Sequence, residues 1–239
     1  MNPLELTRLE KAAADCGFEL SPELGEDGLK LSSAQFPETV TVKSLSKELF
    51  VLQASSPLLL SQALSVGEII QIDGWDSLYD ALEMASATAR TMPNRVAQKF
   101  HKATAAMPKS TEAERWVVQR IGQDLFRSAL LDYWQGSCCI TGLAMTELLR
   151  ASHIKPWARC ESDEERLDVF NGLLLAPHLD ALFDSGWMTF DASGRVRFSS
   201  QLTSIALEQL GVPAELELAR LTDAHQSYLH FHRDVVFKK

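Results

Sequence analysis

The sequence predicts a mixed α+β protein in which a small N-terminal domain precedes a larger C-terminal one. Short β-rich runs separated by turn residues fill residues 18–53, which is typical of a small antiparallel sheet. Apolar residues recur at helical spacing in residues 75–90 and 111–136. Residues 149–184 then read as strand, loop, strand and short helix. With 239 residues and 46% hydrophobic content, the chain is long enough to bury one large core or two small ones.

The N-terminal region begins with a helix signal, because Asn2 is a good N-cap and Pro3 suits the first helical position. Gly17 ends the helix, which we expect at residues 3–16. Turn residues such as Glu26-Asp27-Gly28 and Ser44-Leu45-Ser46 separate the β-rich runs that follow. In chain order we expect strands at residues 18–20, 29–31, 39–43 and 48–53, a short helix at 57–64, an extended segment at 68–72 and a helix at 75–90.

The C-terminal region begins with a capping box at Thr111 and Glu114, which opens a long helix that Gly136 ends. A short strand and turn are expected at residues 139–142. Ala192-Ser193-Gly194 then marks a hairpin. The expected buried stripe of the long helix is Val117, Val118, Ile121, Leu125 and Tyr133; the expected hairpin strands are 187–191 and 195–199, and the expected closing helices are 204–210 and 219–231.

The formal net charge of −9 argues against a nucleic-acid partner for the chain as a whole, because affinity for DNA comes largely from cations that neutralise phosphates. The charge is unevenly distributed, however. Residues 90–110 hold five basic residues and no acidic one. This segment has two interpretations, a solvated linker that forms a short helix or a positively charged strap over a DNA backbone. In the second, Arg95, Lys99 and Lys102 contact phosphates.

The composition gives two further expectations. No apolar run approaches the length of a membrane span, and the N-terminus lacks a basic region followed by an apolar core. We therefore expect a cytoplasmic protein with no membrane partner. The four cysteines follow no regular spacing, which favours reduced thiols over a disulfide framework. Three histidines near the C-terminus are interleaved with apolar residues, and we expect them to serve packing: His225, His230 and His232.

Two sequence boxes carry the chemistry of the chain. The first box is Ser-His-Ile-Lys-Pro-Trp, and its His153 is the last residue of an expected strand. The second box is Asn-Gly-Leu, and its Asn171 is the first residue of the next expected strand. The second box ends further along the chain in Leu-Phe-Asp. This arrangement resembles the ββα-metal finger of HNH endonucleases, and most closely their restriction-associated branch. The likeness covers residues 120–237. Residues before about 110 show no such likeness, and their pattern and charge indicate an acidic α+β domain of unknown role at residues 1–89 and a basic linker at 90–110. The resemblance implies an HNH nuclease domain with supporting helices at 111–239.

The resemblance implies a role for each box. His153 corresponds to the general base, and Asn171 to the asparagine that holds the loop between the two strands. Nine residues later, the third signature position falls on Asp180, whose carboxylate suits Mg²⁺ or Mn²⁺. His178 is the alternative ligand. Because residues two apart on a helix differ by about 200° around its axis, both side chains can face one metal only if the helix begins after His178.

One position departs from the broad family pattern. The residue before the base is often a metal-binding aspartate, and here it is Ser152, a poor ligand for Mg²⁺. Water or a phosphate oxygen would then complete the coordination sphere. Three neighbouring charged residues are candidates for contacting phosphate or supporting the ligands: Arg150, Lys155 and Asp184. For Asp184, capping of the helix or pairing with Arg150 or Lys155 is the alternative.

These features predict a metal-dependent DNA endonuclease from a restriction or other defence system. The alternatives are a non-catalytic DNA- or protein-binding module on the same scaffold, which Ser152 and the negative charge favour, and an antibacterial nuclease toxin. Cutting both strands with single-metal sites ordinarily requires two fingers, which makes a homodimer plausible. An acidic domain is a poor reader of DNA, so residues 1–89 are expected to bind a protein partner, a target or a signal.

Overall fold

The computed structural model describes residues 2–60, 69–108 and 110–239. The chain divides into two compact units, Met1–Arg90 and Thr91–Lys239. Most of the expected helix at residues 57–64 lies outside the described residues; its first part is a 3₁₀ turn at Pro57–Leu60. In the part of the chain that is described, no helix has the length and apolar character needed to cross a bilayer.

In its described residues the first unit is a five-stranded antiparallel sheet with two α-helices, which confirms the predicted sheet. The strands follow one another in chain order across the sheet. The helix α1 starts with the predicted cap, where the side chains of Asn2 and Glu5 each accept from the other's backbone N–H. The elements are α1 (Pro3–Asp15), β1 (Glu23–Gly25), β2 (Gly28–Leu31), β3 (Val40–Ser46), β4 (Leu49–Ala54), β5 (Ile69–Asp73) and α2 (Trp75–Thr91).

Two predictions for this sheet were wrong in position. Residues 18–20 do not form a strand, because Phe18 is buried against the edge of the Phe36 ring and the first strand begins at Glu23. Ser44-Leu45-Ser46 is not a turn but the end of β3, where the register with β4 shifts between Ser44 and Ser46. The turn that joins these two strands lies at residues 47–48.

The second unit combines helices with two small hairpins, in agreement with the predicted fold class. Its two sheets each contain two antiparallel strands. The elements are α3 (Pro93–Thr104), α4 (Glu112–Tyr133), β6 (Arg150–His153), α5 (Asp163–Arg166), β7 (Gly172–Leu175), α6 (Pro177–Asp184), β8 (Met188–Phe190), β9 (Val196–Phe198), α7 (Ser204–Gln209), α8 (Asp223–Phe231) and a π-helical turn at His232–Val236.

The basic segment forms the helix α3, which belongs to the second unit. Its apolar side chains Val96, Ala97 and Phe100 are buried, and the helix packs against α4 and the short α5. Lys99 and Lys102 are exposed. The segment therefore presents its lysines from an ordered helix on the second unit.

The long helix α4 begins at the predicted cap, and of its expected buried stripe Tyr133 is buried. Val117 is exposed, and Val118, Ile121 and Leu125 are only half-buried. The buried face instead includes Gly122, which lets neighbouring aromatic side chains approach the helix closely. Its members are Gly122, Phe126, Ala129, Leu130 and Tyr133.

Three smaller expectations concern the segments around this core. Residues 139–142 form a turn without a strand, closed by the hydrogen bond from the Gly142 N–H to the Cys138 carbonyl. The hairpin around Ala192-Ser193-Gly194 is confirmed by β8 and β9. The last helix begins at Asp223 rather than residue 219, because Thr222 occupies the N-cap position.

Candidate active site

The two boxes lie side by side in the β6–β7 hairpin. His153 is paired with Gly172, and Ser152 with Leu173. The helix α6 follows β7 directly and contacts β6. The predicted order of strand, loop, strand and helix is thereby confirmed, and it brings the end of β6, the start of β7 and one face of α6 together.

The imidazole of His153 is held on three sides. Its ring stacks on Phe126 of α4, with centroids 3.8 Å apart and planes 15° apart, and meets the edge of the Trp157 ring. Its Nε2 atom lies 2.8 Å from the carbonyl oxygen of Arg166. Because a carbonyl only accepts, Nε2 carries the proton and Nδ1 presents a lone pair. Nδ1 makes no hydrogen bond to any described residue.

Burial also decides the charge of this imidazole. Desolvation lowers the pKa of His153 to about 4, and the Arg166 carbonyl offsets this only in part. The ring is therefore neutral at physiological pH. A neutral ring with a lone pair on Nδ1 is the form that takes a proton from a bound molecule.

The loop between the strands is organised by Asn171, which is fully buried. Its Oδ1 accepts from the Lys155 backbone N–H at 2.7 Å, and its Nδ2 donates to the backbone carbonyls of Glu165 at 3.1 Å and Lys155 at 3.3 Å. The amide thus ties the beginning and the end of the loop to the start of β7.

On the other side of the hairpin lie side chains with oxygen atoms that could bind a metal, those of Ser152, Asp180 and Asp184. Asp180 on α6 is half-buried beside Ser152; burial raises the pKa of its carboxyl, and Ser152 and Arg150 act against that rise. The Ser152 hydroxyl is buried and makes no hydrogen bond of normal geometry to a described residue, although it lies close enough to Asp180 to lower the pKa of that carboxyl. Asp184, one turn further on, is exposed and raises the pKa of Asp180.

His178 lies inside α6, because Ala176 is the N-cap and Pro177 the first helical residue. A separation of about 200° around the axis directs His178 and Asp180 to different sides of the helix. Within the described residues, no group of three or more His, Cys, Asp or Glu side chains is arranged to hold a metal ion. Because His178 faces another side of α6, the candidate metal ligands beside Asp180 are oxygen atoms.

A match to a protein family falls on this hairpin. Residues 138–191 match the family model described as HNH endonuclease. These residues are similar to an HNH endonuclease domain, and residues 138–191 are called the HNH domain from here on. No curated protein matches the chain. The HNH domain includes both boxes, α6 and β8, whereas α3 and α4 lie before it. The matched family is described as endonucleases, which are enzymes that hydrolyse phosphodiester bonds.

Within the HNH domain, Lys155 is already paired. Its Nζ lies 2.5 Å from Glu165 Oε1, and both side chains are largely buried. The alternative partner considered for Asp184, Lys155, is thus engaged elsewhere. In the acidic segment of the loop, Glu161 and Glu164 are exposed, whereas Glu165 and Arg166 turn inward.

The positions of two further residues at the HNH site were not anticipated. Phe126 supplies the ring on which His153 stacks. Its spacing with Leu130 and Tyr133 is a helical signal, but the expected buried stripe contained the neighbouring Leu125 instead of Phe126. The Arg166 guanidinium donates to the carbonyls of Cys160 at 2.7 Å and Trp157 at 3.4 Å and to Asp163 Oδ1 at 3.1 Å. Nothing in the sequence pattern indicates these contacts, because they depend on the path of the folded loop.

Proposed function

We propose that the protein is a metal-dependent DNA endonuclease with His153 as its general base. The observation that supports this most directly is the hydrogen bond from His153 Nε2 to the Arg166 carbonyl, which leaves the Nδ1 lone pair for a water molecule. A pKa of about 4 makes the isolated imidazole a weak base. A phosphate bound beside the ring raises this pKa, since negative charge favours the imidazolium form, and so strengthens the base when substrate is in place.

The oxygen donors of the HNH domain fit one hard divalent cation, Mg²⁺ or Mn²⁺. Asp180 would hold it, with Asp184 in support, and the buried Ser152 hydroxyl, which has no partner of normal geometry among the described residues, provides a neutral oxygen beside it. When bound, such a cation supplies positive charge to the phosphoryl transition state and the leaving oxygen. His178, on another side of α6, is proposed to contact a phosphate or a neighbouring loop.

Binding of DNA is assigned to cations near this centre. Lys99 and Lys102 are exposed on α3, and Arg95 precedes them by one turn. Arg150 is exposed next to Asp180, where it can neutralise a phosphate. The acidic helix α5 lies beside α3 and repels phosphates, so the proposed backbone path avoids it. We assign Lys155 an indirect role, because its charge is matched by Glu165.

A restriction or other defence role is proposed from the two sequence boxes, together with a homodimer that would cut both strands. Residues 1–89 are proposed to recognise a protein partner, a target or a signal. A second candidate function is a non-catalytic nucleic-acid- or protein-binding module. It is favoured by Ser152 in place of a carboxylate and by the lack of a three-donor cluster in the described part of the chain.

The test uses the purified full chain with supercoiled plasmid DNA and Mg²⁺, Mn²⁺ or EDTA. We expect metal-dependent nicking or linearisation that His153→Ala reduces by roughly 10²-fold or more. His230→Ala is the matched control, because His230 is exposed and outside the HNH domain. Duplex binding without cleavage in either metal would support the non-catalytic module, and cleavage retained in His153→Ala would exclude His153 as the base.

A further inference from the structure

The helix α8 lies outside the HNH domain in the sequence, yet it contacts the active-site loop near both of its ends. Near the end of the loop, the Tyr228 hydroxyl donates to Asp168 Oδ2 at 2.8 Å. Near the start of the loop, Lys155 Nζ lies 5.4 Å from the centroid of the Phe231 ring, one turn further along α8. A helix that follows the loop by 60 residues therefore braces it.

Asp168 caps the 3₁₀ turn Val169–Asn171, which leads into β7. Its Oδ1 accepts from the Phe170 N–H at 2.9 Å, and its carbonyl accepts from the Asn171 N–H at 3.0 Å. The two carboxylate oxygens thus have different partners, a backbone N–H of the turn and the Tyr228 hydroxyl of α8. Asp168 thereby couples α8 to the turn that carries Asn171.

The ionisation of the two side chains strengthens this contact. Burial raises the pKa of Asp168 to about 6, and the Phe170 N–H and the Tyr228 hydroxyl act against that rise. At pH 8 the carboxylate is therefore ionised and only accepts. Burial and the charge of Asp168 raise the pKa of Tyr228, so the phenol keeps the proton that it donates. A hydrogen bond to a carboxylate is stronger than one between two neutral groups.

The position of Asp168 matters to the candidate base because the Arg166 carbonyl lies only two residues earlier. That carbonyl is 2.8 Å from His153 Nε2 and selects the tautomer of the ring. Leu167 and Val169, on either side of Asp168, are fully buried. A displacement of Asp168 is therefore transmitted along the backbone to the acceptor of the His153 proton.

The helix α8 can support this turn because the π-helical turn that follows α8 is itself held in place. His232 Nε2 lies 3.1 Å from the Phe183 carbonyl oxygen of α6, and the two rings stack with centroids 4.0 Å apart. Arg233 Nη1 donates to the Phe190 carbonyl of β8 at 3.0 Å. The end of α8 is thus fixed to two elements of the HNH domain, and Tyr228 extends from it to the loop.

We infer that Tyr228 is a positioning residue of the active site, which acts through Asp168 on the candidate base His153. Its hydroxyl holds the turn that presents the Arg166 carbonyl to His153 Nε2–H. The inference rests on the proposed function, in which His153 is the general base. It extends the functional unit beyond residue 191, where the family match ends, to the helix α8.

The ¹⁵N chemical shifts of the His153 ring at pH 8 test this inference in the full chain without any need for nuclease activity. Tyr228→Phe keeps the aromatic ring and removes the hydroxyl, so we expect these shifts to move from the Nε2–H pattern towards a mixture of tautomers. Ser227→Ala is the matched control, because it removes an exposed hydroxyl from the same helix and should leave the shifts unchanged. Unchanged His153 shifts in Tyr228→Phe overturn the inference, even if the protein is less stable.

Cleavage kinetics test the consequence for the reaction. Tyr228→Phe should lower kcat about tenfold with little change in KM, because α8 supplies none of the proposed DNA contacts. In an Asp168→Ala protein, Tyr228→Phe should lower kcat no further, since its partner is already absent. An equal loss of kcat in both backgrounds contradicts the inference. A chain that cuts no DNA, but whose His153 tautomer still changes in Tyr228→Phe, would refute the nuclease and support the positioning role.

Discussion

The backbone carbonyl of Arg166 lies 2.8 Å from His153 Nε2, and the side chain of Arg166 ties down the loop that presents this carbonyl. The guanidinium spans the Trp157 and Cys160 carbonyls and the Asp163 carboxylate. The backbone carbonyl of Arg166 therefore accepts a hydrogen bond from the candidate base, and the side chain of Arg166 fixes the position of that carbonyl. Because the carbonyl selects the imidazole tautomer, the guanidinium acts on the base indirectly, as a positioning group.

Arg166→Met should lower kcat of DNA cleavage about tenfold with little change in KM, because the carbonyl is released while substrate-binding groups stay in place. The ¹⁵N chemical shifts of the His153 ring should at the same time show loss of the Nε2–H tautomer. Arg159→Met is the matched control, because Arg159 lies in the same loop and is exposed. A fall in stability with an unchanged tautomer and kcat would show a purely structural role.

Gly172 of the Asn-Gly box leaves no room for a side chain. A Cβ at this position would lie 2.6 Å from Phe126 Cζ and 2.7 Å and 2.8 Å from the two Leu130 methyl carbons. Phe126 is the ring on which His153 stacks. Gly172→Ala should therefore lower the free energy of unfolding by about 1–3 kcal/mol and reduce cleavage further than the loss of folded protein explains.

Chemical denaturation and cleavage rates, measured on the same preparations, check this expectation. Gly25→Ala is the control, because Gly25 is also in a strand and a Cβ there would approach no heavy atom closer than 3.8 Å. It should change neither quantity appreciably. A Gly172→Ala protein with unchanged stability and activity would mean that Phe126 and Leu130 can move without consequence for the base.

The order of elements at the active site was predictable from the sequence, because alternating apolar residues and turn residues mark strands and loops locally. The buried face of α4 was not, since Gly122 is buried through the close approach of the Trp157 and Phe100 rings rather than through its own hydrophobicity. The strand predicted at Phe18 fails for a similar reason. The alternation of Phe18 with Leu20 is a local signal, whereas the contact of Phe18 with Phe36 is not local. Contacts between distant segments decide these features.

His232 should make the stability of the protein depend on pH. Its ring stacks on Phe183 and is hydrogen-bonded to the Phe183 carbonyl and Thr189, and burial lowers its pKa to about 4. The unfolded chain, with a histidine pKa near 6.5, then binds more protons than the folded one between about pH 6.5 and 4. Stability from this group is present above that window and falls with decreasing pH, by about 3 kcal/mol in all.

Urea unfolding at pH values from 7.5 to 4.5 measures this dependence. His232→Gln should flatten the slope by about one proton. His230→Gln should not, because His230 is exposed and pairs with Asp234 at the surface. Asp168, whose pKa burial raises to about 6, acts in the opposite direction, and its contribution cancels because both variants retain it.

The thiol of Cys160 should report opening of the active-site loop. All four cysteines are free and buried, and burial raises the pKa of Cys160, which accepts from Asn171 Nδ2 at 3.4 Å. Because the thiolate is the reactive form, the native protein should resist a thiol reagent at pH 8, whereas the urea-unfolded protein should react at four sites.

Asn171→Ala releases the loop and should speed modification of Cys160 at least about tenfold, while Cys16 in the other unit stays protected. Peptide mass spectrometry measures the rate at each cysteine. Equal acceleration at Cys16 and Cys160 would indicate global unfolding instead, and an unchanged Cys160 rate would show that the loop does not depend on the Asn171 amide.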